Sequence, residues 1–130
     1  MPVKYNVVER KNPQKREEPS KWYANAKADG DISLKEIAEE ISGGSTTVSD
    51  TDVLAVLNEM IKTCTRHLSD GKVVKFGEFG NFQVSLTSEG AVSEEKFSPN
   101  LIRGNKIQFR PGDALRKMLK TVKYEKYSKK

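Results

Sequence analysis

The feature that most constrains this chain is an apolar helical stripe longer than the chain can cover by itself. Val53, Val56, Leu57, Met60, Ile61, Cys64 and Leu68 recur at helical spacing on one face, which predicts an amphipathic helix of about four to five turns. It starts near Ser49-Asp50-Thr51-Asp52, residues that suit an N-cap and the positive end of a helix. Upstream, Ser33 and Glu36 have capping-box spacing, Leu34, Ile37, Ala38 and Ile41 form a second stripe, and Gly43-Gly44 ends it. That first helix has only about two to three turns. A helix so short leaves part of the longer stripe bare, and a chain of 130 residues with 32% charged and 35% hydrophobic residues has little else to cover it. The stripe therefore predicts a core shared with a second copy.

After Asp70-Gly71 the period changes. Val73, Val74 and Phe76, then Phe79, Phe82, Val84 and Leu86, read as a β-hairpin over Lys72–Val84, with Gly77 and Gly80 bracketing a tight bend. Residues 87–98 hold few core-forming side chains and fit an extended arm or a long turn, and Leu101–Phe109 is the returning strand. Arg110-Pro-Gly-Asp113 precedes a last helix with Leu115, Met118, Leu119 and Val122 on its apolar face. At the other end, Lys4–Arg10 and Lys21–Lys27 read as strands, separated by a charged, proline-bearing loop. The predicted order is β, β, α, α, β, β, β, α: an α+β chain with a β extension over 1–30 and a main domain over 31–130.

Charge is unevenly spread. Residues 31–71 carry three basic side chains against eight acidic ones, whereas residues 111–130 carry seven against two. An acidic middle and a basic end suit either a surface turned toward a polyanion or a solvated basic tail. Cys64 allows no internal disulfide and, in the stripe, reads as a small buried side chain; with one histidine, His67, it cannot build a structural zinc site. His67 sits near the helix end, where it is expected to face water or the helix dipole. No acid/base pair, phosphate-binding glycine loop or activated nucleophile is present, so the expectation is a non-enzyme without cofactor, metal or small-molecule substrate. No run reaches the length of a membrane span and no secretory signal opens the chain, which suggests a cytoplasmic location without a membrane partner.

Gly71-Lys-Val-Val-Lys-Phe-Gly-Glu-Phe-Gly-Asn-Phe82 resembles the signature of the HU/IHF family of bacterial histone-like DNA-binding proteins, and Lys106-Ile-Gln-Phe-Arg-Pro-Gly-Asp-Ala-Leu-Arg116 resembles that family's return strand and basic helix. The resemblance covers residues 32 to about 123. The N-terminal segment, Ser98-Pro-Asn-Leu-Ile-Arg103 and Phe109-Arg-Pro-Gly112 are similar to a divergent HU-like subfamily common in Bacteroidetes. The resemblance implies an intertwined homodimer with two N-terminal helices, a β-sheet saddle, a protruding β-arm and a C-terminal helix, here with an added N-terminal hairpin. It implies a nucleoid-associated protein that binds duplex DNA with little sequence preference. The cations placed to do so are Lys72, Lys75, Arg103, Lys106, Arg110, Arg116, Lys117, Lys120 and Lys123. The dimer core would combine the helical stripe with Phe76, Phe79 and Phe82.

Two departures from the family pattern stand out. The arm carries Glu89, Glu94 and Glu95 where ordinary HU is rich in arginine, so weaker bending is expected; Pro99 is read as an edge-strand proline or as the wedge between base pairs. Asp113 replaces a usual lysine and is expected to cap the last helix. An alternative reading keeps the dimer scaffold but turns the acidic arm and Trp22-Tyr23 toward a protein partner; otherwise that pair packs the extra strands onto the sheet.

Overall fold

A computed structural model describes residues 2–11, 13–14, 17–44 and 46–128. In chain order its elements are β1 (Val3–Arg10), β2 (Lys21–Lys27), α1 (Leu34–Gly43), α2 (Asp50–Ser69) and β3 (Val74–Lys75). These are followed by β4 (Gly80–Ser88), β5 (Ile102–Pro111), α3 (Asp113–Thr121) and β6 (Tyr124–Lys126). They fall into two compact units, Met1–Ser33 with Leu119–Lys130, and Leu34–Met118. Among the described residues no helix is long and apolar enough to cross a membrane.

In the first unit β1 and β2 pair antiparallel, with Lys4 opposite Lys27 and Arg10 opposite Lys21. The sheet has a third strand that the residue pattern does not announce. β6 runs parallel to β1, with Val3 opposite Tyr124, and gives the order β2-β1-β6. Three residues are too few to show a period of two, so only the pairing partner reveals β6 as a strand.

In the second unit α1 and α2 pack against each other, and Ala38, 1% exposed, is the one apolar side chain buried among the described residues. α2 starts where its cap chemistry predicts: the Ser49 hydroxyl accepts from the Asp52 N–H at 3.2 Å, with Asp50 and Asp52 in the first turn. It ends where the Asp70 N–H donates to the Arg66 carbonyl and Gly71 takes φ +83°, a left-handed conformation that costs glycine little. Of the two expectations for His67, water or the helix dipole, the first is not met at Nδ1: the residue is half-buried and that atom is enclosed without a hydrogen-bond partner. No residue of α2 is buried. Val56 remains 66% and Ile61 46% exposed, while Val53, Leu57, Met60, Cys64 and Leu68 are half-buried.

The second sheet has the order β3-β4-β5, all antiparallel. Between β3 and β4 the chain reverses through Gly77 (φ +58°), and the Phe76 N–H donates to the Gly80 carbonyl. Gly80 has φ +145°, and a Cβ there would meet the Arg110 carbonyl and the Phe109 ring, so the close crossing of β4 and β5 needs glycine on two counts.

Candidate nucleic-acid interface

Strand alternation sorts this second sheet into two unlike faces. Val74, Phe82 and Phe109 stand opposite one another across the three strands, as do Val84 and Ile107, and they form the apolar face. Four phenylalanines cluster at its glycine-lined end. Phe82 and Phe109 lie 4.8 Å apart between ring centroids, Phe79 and Phe109 5.8 Å, Phe76 and Phe79 6.2 Å, and Phe76 and Phe82 6.5 Å. Such a cluster is expected to be dry, yet Phe76, Phe79 and Phe109 are 36%, 52% and 39% exposed. Phe76, Phe79 and Phe82 are thus brought together as the sequence suggests. Phe109, absent from that reading, completes them opposite Phe82; alternation along the return strand signals its face but not that partner.

The opposite face is polar and carries no carboxylate. Lys75, Asn81 and Arg110 form one row across β3, β4 and β5, and two strand spacings put the outer pair about 10 Å apart at Cα. Gln83 pairs with Gln108, whose side chains hydrogen-bond at 3.3 Å, and Ser85 pairs with Lys106. The Ser85 hydroxyl is enclosed and has no hydrogen-bond partner. Lys106 lies four residues from Arg110 on β5, about 13 Å along the strand. Three cations and three amides therefore share one surface, with the enclosed Ser85 hydroxyl among them. That set can take negatively charged oxygens and has no acid/base pair for chemistry.

The remaining predicted cations are placed differently. Lys72 stands in the turn after α2, its N–H donating to the His67 carbonyl. Arg103 is the β5 residue left unpaired where the register shifts between Thr87 and Ser88, and its guanidinium is held by the Glu89 carboxylate at 2.7 Å. Arg116, Lys117 and Lys120 are exposed along α3, and Lys123 is exposed just before β6. Asp113 lies inside the first turn of α3 and does not occupy the cap position. Gly112 does so, its carbonyl accepting from the Arg116 N–H. The Ala114 N–H is consumed by the Glu78 carbonyl, so it is the turn's backbone that occupies this donor.

The arm between β4 and β5 contains two short 3-10 turns, Glu94–Lys96 and Pro99–Leu101. Pro99 opens the second of these; it is not on a strand edge. Its fixed φ suits the first position of a helical turn, and that preference decides its place.

A family model described as HU-HIG, an HU domain fused to wHTH, Ig or glycine-rich motif, matches residues 1–126. No curated protein matches the chain. Among solved structures, a candidate bacterial DNA-binding protein from Bacteroides vulgatus ATCC 8482 is similar at a TM-score of 0.64 and 12% identity, over 98% of this chain and 49% of that one. The present chain thus spans about half the length of that relative. Anabaena HU, in a cocrystal with DNA, is similar at a TM-score of 0.54 and 17% identity, over 69% of this chain and 99% of its own. The identities are low enough that these structures speak to the fold alone. The family match runs over nearly the whole sequence, and the fold is similar to that of HU: the protein is a member of the HU-HIG family.

Proposed function

We propose that the chain works as a homodimer that binds duplex DNA without catalysis and with little sequence preference, as an architectural component of the bacterial nucleoid in the cytoplasm. The observation that carries this reading is the acid-free polar face with Lys75, Arg110 and Lys106, backed by an apolar face whose phenylalanines stay half-exposed in a single chain. The exposed side of α2 and the phenylalanine cluster give the second copy its seat. Two copies would double the cationic row, and Arg116 and Lys117 on α3 add charge. Duplex bending is weaker than that of ordinary HU, because the arm is acidic and its arginine is already paired with Glu89.

A second reading, a protein-interaction module on the same scaffold, is favoured by one observation. Residues 34–118 carry eleven Lys and Arg against twelve Asp and Glu, so this unit is not basic as a whole. Fluorescence anisotropy with linear, nicked and four-way-junction DNA across a salt series separates the two. Binding at low salt that weakens steeply with added salt supports the DNA reading, and absence of binding at low salt supports the other. Ring closure of short DNA as efficient as that by ordinary HU would refute weak bending.

A further inference from the structure

The sheet β2-β1-β6 has its own unlike faces. Register and alternation put Val3, Tyr5 and Val7 of β1, Trp22, Ala24 and Ala26 of β2, and Tyr124 of β6 on one side. The two alanines leave a shallow cavity of about 330 Å³, floored by Val3, Tyr5, Ala24, Ala26 and Tyr124, which is at the lower end of small-molecule sites. Trp22 and Tyr124 stand toward the two ends of this sheet face, 64% and 72% exposed. They lie six residues apart along β1, from Glu9 to Val3, or about 20 Å. Lys126 shares this face, opposite Tyr5, whereas alternation places Lys4, Arg10, Lys21 and Lys27 on the other face. Glu9, the acid on it, accepts a hydrogen bond from the Ser20 hydroxyl. The unit's sequence is strongly basic, with twelve Lys and Arg against six Asp and Glu, so the chain's positive charge resides here and not in residues 34–118.

An apolar, aromatic-ended surface within a cationic unit fits a polyanion that exposes flat apolar rings. We propose that this sheet is a binding surface for single-stranded nucleic acid, with unpaired bases stacking on Trp22 and Tyr124 and the strand's phosphates meeting Lys126 and, around the edge strand β2, Lys21 and Lys27. A duplex hides its bases, so it has only charge to offer this face. The aromatic separation suits a site of a few nucleotides. This inference does not depend on how the second sheet meets duplex DNA.

Trp22 is the chain's single tryptophan, so its emission reports the site directly. Full-length protein titrated with an oligothymidylate of about a dozen nucleotides should show quenching that a duplex of equal length does not reproduce, and binding should weaken with salt. Trp22→Ala and Tyr124→Ala, followed by anisotropy of a labelled oligothymidylate, should each weaken binding by at least about fivefold, the lower end of one base–aromatic stack. Trp22→Phe should retain it, and duplex binding by all three variants should match the parent. Oligothymidylate affinity unchanged in both alanine variants would overturn the proposal. So would Trp22 emission that changes with protein concentration alone, which would mean that a second copy occupies the face.

Discussion

Replacing Lys75 and Arg110 together by alanine tests whether the polar face of the second sheet meets phosphates. Each phosphate neutralised contributes about 0.9 to the slope of log affinity against log salt concentration. Lys75, Lys106 and Arg110 from two copies would make six such contacts, and their share of the slope would be about −5.4. Between about 50 and 200 mM salt that share alone lowers affinity roughly 2,000-fold, whereas the two contacts left in the double variant lower it about twelvefold. The slope should therefore become shallower by about 3.6 if the dimer binds, and by about 1.8 if one copy does. Anisotropy of a labelled duplex at four or five salt concentrations measures this directly, with circular dichroism to show that the variant keeps its fold. Both residues are exposed, so folding should be little affected. An unchanged slope would refute phosphate contact by this face, whatever the absolute affinity.

Glu89→Gln should release Arg103 from its 2.7 Å ion pair and steepen the duplex-binding slope by up to about 1.8 for a dimer, read in the same salt series. Gly80→Ala should cost at least about 2 kcal/mol in urea denaturation, because φ +145° and the adjacent Arg110 carbonyl leave no place for a Cβ. Phe79→Glu places a charge in the half-exposed phenylalanine cluster and should shift sedimentation from dimer to monomer, while a parent protein already monomeric at micromolar concentration would contradict the shared core.

Much of the helical framework is legible in the sequence because its determinants are local. The Ser49 cap, the α2 stripe and the stop at Gly71 involve residues within one or two turns of each other. The glycine corner is legible for a similar reason, since Gly77 and Gly80 announce backbone that other residues avoid. What escaped depends on distant partners. β6 is a strand because Val3 lies beside Tyr124, and Arg103 is neutralised because a bulge brings it to Glu89. Asp113 carries an ordinary capping signal, but the Glu78 carbonyl reaches the Ala114 N–H from another element. His67 is half-buried with Nδ1 enclosed, which the spacing along its own helix does not reveal.

The pairing of β6 with β1 also bears on the order of assembly. Val3 and Tyr124 are roughly 120 residues apart in the chain, so the first strand leaves the ribosome long before its parallel neighbour is synthesised. The helices and corner sheet between them can fold in the meantime from nearer contacts. The small sheet is then completed as a late clasp, and the entropy of closing so long a loop falls once the inserted segment is already compact.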